Sequence, residues 1–220
     1  MRRILSALLV FLCLISSCAL AAGEATVTQT AFYSLPLLTY WQGCIYAEIT
    51  NTGDAPVELT GGTYELFGQD GSVIDSGNVY SYYPKILAPG EVGFAIVEKG
   101  IQDAPSADHI AGGSVQITGK ASSEQLRSLP CTAVQEDRGD LIKMPYAICT
   151  VTNDTAEMTG GDIATVIAAY FADGTLAWAA YAGSIGIDLH PGSTIDIRAL
   201  MDEDLLSAAP DIDHYYARAW

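Results

Sequence analysis

The sequence predicts an all-β protein: two tandem β-sandwich domains behind an N-terminal signal peptide. Three observations predict it. The landmarks Asn51, Asp70-Gly71 and Leu87-Ala88-Pro89-Gly90 recur as Asn153, Asp173-Gly174 and Leu189-His190-Pro191-Gly192, at offsets of 102, 103 and 102 residues. Between the landmarks, apolar and polar residues alternate with a period of two in short runs, as in strands with one face buried. Clusters of Gly, Pro, Asn and Asp separate those runs at the close spacing expected of a sandwich.

The first stretch stands outside this pattern. Arg2 and Arg3 precede an apolar run from Ile4 to Ile15, followed by Ser16, Ser17, Cys18, Ala19 and Ala21. That order is a signal peptide, and its apolar run is short for a membrane span. Two processing readings stand open. Ala19-Leu20-Ala21 offers cleavage after Ala21, whereas Ile15-Ser16-Ser17-Cys18 resembles a bacterial lipobox in which Cys18 would be lipidated. Residues 1–21 are therefore the expected signal, 22–121 the first domain and 122–220 the second. The mature chain is expected outside the cytoplasm, secreted or held by a lipid anchor.

Each element follows in order. Ala25 to Thr30 alternates as a first strand, and Ser34-Leu35-Pro36 is irregular. Cys44 to Thr50 alternates, Asn51-Thr52-Gly53-Asp54 is a turn, and Val57-Glu58-Leu59 resumes an extended pattern. Tyr64 to Phe67 runs into the hairpin signal Asp70-Gly71, with Val73-Ile74 beginning the return. Val92, Phe94 and Ile96 mark the buried side of the next strand, and Val115 and Ile117 mark a closing one. Ser122 to Leu129 is read as a connector with a short helical turn, because Ser122 and Gln125 have capping-box spacing. The second copy repeats the order through Ala147 to Asn153, Ile163 to Phe171 and Leu176 to Tyr181. Ile195 and Ile197 then fall one residue out of inward parity with Val92 to Ile96, which implies a bulge. Asp202 to Leu206 is expected to form a helical turn, and Ala104 to His109 is echoed by Ala209 to His214.

Three cysteines follow the signal: Cys44, Cys131 and Cys149. Parity places Cys149 with Ala147 and Val151 on a core face. It places Cys44 with Tyr46, Glu48 and Thr50 on the opposite, exposed one. A disulfide between Cys131 and Cys149 is expected, with Cys44 left over; three unpaired thiols is the competing reading.

At this point the residues carry a resemblance. Tyr64-Glu65-Leu66-Phe67-Gly68 followed by Asp70-Gly71, with Asn51-Thr52-Gly53 before and Leu87-Ala88-Pro89-Gly90 after, resembles the FxLYD domain, a bacterial and archaeal immunoglobulin-like module. Ile167 to Phe171 with Asp173-Gly174 resembles it more weakly, with Asn153-Asp154-Thr155 in place of Asn-Thr-Gly. The Asn-Thr-Gly-Asp and Leu-x-Pro-Gly landmarks are also similar to CARDB adhesion-type modules. The resemblance implies two tandem immunoglobulin-like sandwiches serving as extracellular spacers or interaction units.

Composition narrows the function classes. The formal net charge is −16, and removing Arg2 and Arg3 from the 10 basic residues leaves 8 against 26 acidic ones. Those 8 are scattered, so nucleic acid is not an expected partner. No metal site is expected: C-x-x-C and H-E-x-x-H spacings are absent, and Asp202-Glu203-Asp204 lacks the pattern of a calcium loop. Asp108-His109 recurs as Asp213-His214, yet neighbours on a strand point to opposite faces, so the repetition is read as a product of duplication. No Gly-x-Ser-x-Gly elbow occurs. No catalytic residue and no cofactor are expected. The aromatic residues remain: Tyr80, Tyr82 and Tyr83 form a cluster that would serve as a partner or ligand surface if exposed, or fill a core or an inter-domain seam if not. The expected function is a non-enzymatic exported interaction or adhesion-type module of the cell envelope, with an envelope protein or glycan as partner. The alternative is a carbohydrate- or small-ligand-binding protein using the tyrosine cluster.

Overall fold

The computed structural model describes residues 24–37, 40–102, 106, 109–136, 146–201, 203–209 and 211–220. The expected signal segment, residues 1–21 with Cys18, lies outside them, as do Asp108, Asp202 and Pro210. The described chain is all-β with antiparallel sheets and a single turn-and-a-half of helix. Among the described residues no helix is long and apolar enough to cross a membrane.

In the first half, β1 (Ala25–Leu37), β2 (Tyr40–Asn51), β7 (Val92–Ile101) and β5 (Ser81–Tyr83) make one sheet in the order β1-β2-β7-β5. The facing sheet is built on β3 (Val57–Phe67), which pairs with β4 (Val73–Asn78) and β6 (Ile86–Leu87), and also with β8 (Gly112–Ala121). In the second half, β9 (Cys131–Glu136), β10 (Tyr146–Thr152) and β13 (Thr194–Leu200) form the order β13-β10-β9. Strands β11 (Ile163–Phe171), β12 (Leu176–Ser184) and β14 (Ile212–Ala219) form β12-β11-β14. Substituting β1, β2, β7 for β9, β10, β13, and β4, β3, β8 for β12, β11, β14, gives the same neighbours in both halves.

The repeated landmarks are spent on backbone geometry. Asn51 and Asn153 are both fully buried. Asn51 Nδ2 donates to the carbonyls of Ala55 (2.8 Å) and Leu87 (2.9 Å), while its Oδ1 accepts from the Gly53 amide (3.0 Å). Asn153 does the same with Glu157 (2.8 Å), Leu189 (2.8 Å) and the Thr155 amide (3.0 Å). Each asparagine is thus a buried clamp joining a strand end, the loop after it and the Leu-x-Pro-Gly turn. At the hairpins, Asp70 Oδ1 accepts from the Ser72 amide and Asp173 Oδ1 from the Thr175 amide, both at 2.9 Å. Gly71 and Gly174 follow at φ of 77° and 81°, where a side chain would be strained. The Ser72 and Thr175 hydroxyls also donate to these aspartate oxygens, at 2.6 and 2.7 Å, and those bonds, followed by the amide bonds, hold both carboxyls below the usual aspartate range.

The first half buries Ile45, Ala47 and Ile49 of β2 against Val57, Leu59 and Leu66 of β3. The second packs Cys149 and Val151 of β10 against Ile163 and Ile167 of β11, so Cys149 faces a core as its parity predicts. The second cluster does not stop there. Cys44, Tyr46 and Phe94 of the first half belong to it. Strand β2 is buried without a break from Gly43 to Ile49, and β11 from Thr165 to Tyr170. The sheet β1-β2-β7-β5 therefore has a second covered face, which lies on the sheet β12-β11-β14. The four sheets stack in layers, with the seam between the halves as a third apolar interior.

This corrects several expectations. Cys44 is 1% exposed rather than a surface thiol, because the face it shares with Tyr46 and Glu48 is covered by the other half. Val92, Phe94 and Ile96 do lie on one side, but that side is the seam. The residues of β7 facing its own core are Gly93, Ala95 and Val97, paired with Ile49, Ala47 and Ile45. Ile195 and Ile197 pair with Val151 and Cys149, so the offset stays at 102 and the inferred bulge does not exist. A Cβ at Gly93 would stand 3.0 Å from the Tyr83 carbonyl oxygen and 3.1 Å from the Leu87 side chain, tighter than ordinary contact, which accounts for the missing apolar residue at that inward position.

Ser34, Leu35 and Pro36 are not irregular: they continue β1, pairing with Gly43, Gln42 and Trp41. β1 lies at a sheet edge, where the missing proline amide costs no ladder bond. Residues 122–129 form no helix. Backbone bonds from Ser122 to Pro56 (2.8 Å) and from Leu129 to Ala219 (2.8 Å) hold the connector out at both ends, and Ser122 Oγ serves only the Glu124 amide. The expected helical turn forms as α1 (Glu203–Ala208), whose Leu205 is fully buried.

Candidate functional site: the seam and the residues around it

The seam is where the chemistry-bearing side chains collect. Along β11, residues 166, 168 and 170 alternate toward it. Register places them beside Arg218, Tyr216 and His214 of β14. Tyr170 donates its hydroxyl to Glu48 Oε2 (2.5 Å), whose other oxygen accepts from Thr28 (2.7 Å). Arg218, 5% exposed, reaches Glu91 across the seam at 2.7 Å. Gln29 bonds the Gly174 carbonyl (3.2 Å) and the Leu176 amide (2.8 Å). Phe94 tilts against Tyr216, and Tyr83 stacks on Tyr181 with centroids 4.1 Å apart. Burial, reinforced by the Glu48 carboxylate, holds the Tyr170 phenol far above the ordinary tyrosine range. These bonds fix the relative placement of the halves, since a misplaced Glu48 or Arg218 would be left desolvated without its partner.

The expected tyrosine cluster is divided by the fold. Tyr80 is 80% exposed. Tyr82 packs on the first core, and Tyr83 lies in the seam. Adjacent strand residues face opposite ways, so the three rings share no surface. On the hairpin strand β12, Trp178 is buried at 3% exposure, whereas Tyr181 is 45% exposed. What replaces the cluster is a cleft of about 280 Å³ at one edge of the seam, where Tyr83 meets Tyr46, Glu98, Trp178, Tyr181 and Leu200. Tyr46 donates its hydroxyl to Glu98 at 3.1 Å. Sequence reasoning missed this site because its residues come from strands β2, β5, β7, β12 and β13, which only the docking of the halves brings together.

Cys131 and Cys149 are free thiols that lie side by side. Register sets Cys131 opposite Val151 and Cys149 opposite Ala133, so both point to the same face. The hydrogen bond from Cys149 lowers the Cys131 pKa, with Arg218 adding to the effect, while donating it and being buried push the Cys149 thiol up.

The histidines do not converge. His190 and His109 are exposed. His214 stacks on Tyr170 and meets its neighbour Asp213 at 3.1 Å. That contact corrects the expectation that the two residues point apart. The register shift between Tyr170 and Phe171 leaves Asp213 outside the ladder, where it turns back onto the ring. Both side chains are more than half exposed. Among the described residues, no group of three His, Cys, Asp or Glu side chains could hold a metal ion.

No protein-family model matches the chain, and no curated protein matches it.

Proposed function

We propose that the chain is an exported, non-enzymatic interaction module of the cell envelope, built from two tandem immunoglobulin-like β-sandwiches of the FxLYD or CARDB type and docked into one block. The observation that carries this reading is the outer face of the sheet β13-β10-β9. There Tyr146, half-buried, pairs with Leu200, and Ile148, buried at 7% exposure, pairs with Val134; the exposed apolar side chains of the face are Leu200 and Val134, at 51% and 58%. At the 102-residue offset, the counterparts of Tyr146 and Ile148 are Cys44 and Tyr46, which a neighbouring sheet covers. The second half thus presents the face that the first half uses for docking, and exposed apolar side chains on a sheet are the usual mark of a partner site. The partner we assign to it is an envelope protein.

The test is affinity capture from the envelope of the producing cell with the wild-type chain and the V134E/L200E variant. A protein captured by the wild type and lost with the variant is the expected result. Equal capture by both, or binding of soluble glycans with no protein partner, overturns the reading.

The extracytoplasmic assignment carries its own prediction. In that compartment Cys131 and Cys149 are expected to close into a disulfide. Exposure of the purified reduced chain to glutathione disulfide should protect these two thiols from alkylation, with loss of two hydrogens in intact mass. Cys44 should be alkylated only after unfolding. A stable glutathione adduct on Cys131 in place of the bridge would refute the pairing.

A further inference from the structure

Cys131 and Cys149 share a face, yet their surroundings differ, and the difference assigns them different chemistry. Cys149 lies on the central strand of β13-β10-β9 and is fully buried. Cys131 opens the edge strand β9 and is only partly buried. Its position is fixed from two sides. The Thr152 amide donates to the Pro130 carbonyl (2.9 Å) and the Leu129 amide to the Ala219 carbonyl (2.8 Å), so the start of β9 is held between β10 and the end of β14. There the Cys131 sulfur accepts from the Cys149 thiol and from the Ala219 amide, with Arg218 in electrostatic reach. Arg218 is 5% exposed and directs its Nη2 to Glu91 at 2.7 Å. Its Nη1 is buried and has no hydrogen-bond partner among the described residues. A stranded guanidinium donor favours an anion beside it, because the anion supplies the bond it lacks.

The thiolate is the nucleophilic form of cysteine, and donors and a cation around the sulfur favour it. A thiolate open to small solutes, with a second thiol in contact, is the arrangement that oxidises to a sulfenic acid and then to a disulfide. We propose that Cys131 is a hydroperoxide-reactive thiol, that Cys149 resolves its sulfenic acid and that Arg218 supplies the counter-charge. The Cys131 sulfur attacks one peroxide oxygen. The S–O bond forms, the O–O bond breaks, and the leaving oxygen takes the proton that the thiol released, becoming water or an alcohol. The Cys149 sulfur then attacks the Cys131 sulfur and displaces hydroxide, which leaves as water with the Cys149 proton. The two sulfurs give up two electrons and the peroxide takes them. These unequal roles go beyond the bridge expected of an exported chain, and they are independent of the envelope partner, because the purified chain alone displays them.

The experiment treats the purified, reduced chain with equimolar hydrogen peroxide in the presence of dimedone, which traps sulfenic acids, and reads intact mass and labelled peptides. The wild type should lose two hydrogens and stay unlabelled, because Cys149 closes the bridge first. Cys149→Ala should carry dimedone on Cys131, while Cys131→Ala should carry none. At neutral pH the wild type should react about tenfold or more faster than free cysteine. Arg218→Met should slow it about tenfold, the effect of a shift of one pKa unit, and Arg218→Lys, which keeps the charge, should retain the rate. Label on Cys149 in place of Cys131, a wild-type rate no greater than that of free cysteine, or an undiminished rate in Arg218→Met would each overturn the assignment. Closure by glutathione disulfide with no peroxide reaction would also overturn it, while leaving the exported reading and its bridge intact.

Discussion

Replacing Ala168 with glutamate is expected to separate the two halves while leaving each folded. Ala168 is fully buried on the seam face of β11. Its counterpart in the first half can be read from the hairpins: Tyr170 pairs with Leu176 and Phe67 with Val73, each after a register shift, which aligns Ala168 with Glu65. Glu65 is exposed, on the outer face of its sheet. The substitution therefore installs a residue that the same strand position already tolerates in the first half, and its damage is confined to docking. An unpaired carboxylate forced into the seam costs several kcal/mol on the scale of about 3–5 kcal/mol for an uncompensated buried charge. The wild-type chain should unfold in urea as one transition, and A168E as two. Small-angle scattering should show a longer particle, and protease should cut the connector at residues 122–129. A single transition at unchanged midpoint would mean that the seam contributes little.

The second large effect is predicted at the asparagine clamps. Removing the side chain in Asn51→Ala strands the buried Leu87 carbonyl, the part-buried Ala55 carbonyl and the Gly53 amide. At about 1–3 kcal/mol for each stranded group, partly relieved by water and relaxation, the expected loss is about 3–5 kcal/mol, a large share of a domain's stability of about 5–15 kcal/mol. Asn153→Ala should cost a similar amount because its three bonds match within about 0.1 Å. Asn51→Asp distinguishes hydrogen bonding from shape. It fills the same volume and can still accept from Gly53, but it cannot donate to Ala55 and Leu87, and it turns a carboxylate toward two carbonyl oxygens. Chemical denaturation should rank it as badly as alanine. If aspartate were tolerated, the clamp would be a matter of packing alone.

Much of the fold was legible because the two halves repeat the residues that turns require. Gly71 and Gly174, Pro89 and Pro191, and the two Asx-bonded aspartates located the hairpins and corners. Asn51 and Asn153 were legible as landmarks, though a sequence shows a turn-former and not a buried three-bond clamp. What stayed hidden follows from one assumption: alternation was read as one buried face and one wet face. In β2 both faces are dry, one against its own core through Ile45, Ala47 and Ile49, the other against the second half through Cys44, Tyr46 and Glu48. A glutamate and a thiol on the second face look like surface residues, because the partner of Glu48 is a tyrosine 122 positions away. The signal was nonetheless present. Val92, Phe94 and Ile96 contradicted the parity of Ile195 and Ile197 at a constant offset, and an apolar set on the wrong side of a duplicated strand marks a second interface. The cleft was illegible for the same reason, since it has no existence within either half.

The pairing of unlike faces gives the block a polarity. A two-fold seam would have used the same face from each half and left two identical ends. Here the front of one copy meets the back of the next, as in a stack of chairs, and the ends are chemically different. One is the outer face of β3, carrying Glu58, Thr60, Thr63 and Glu65 where the docked copy carries Val166 and Ala168. The other presents Val134, Tyr146 and Leu200. Such a stack could in principle be extended by a third module, but the polar end offers that module charge and hydroxyls where the seam required alanine and valine. Growth is thereby discouraged at one end, while the other keeps the means to engage something that is not another copy of this chain.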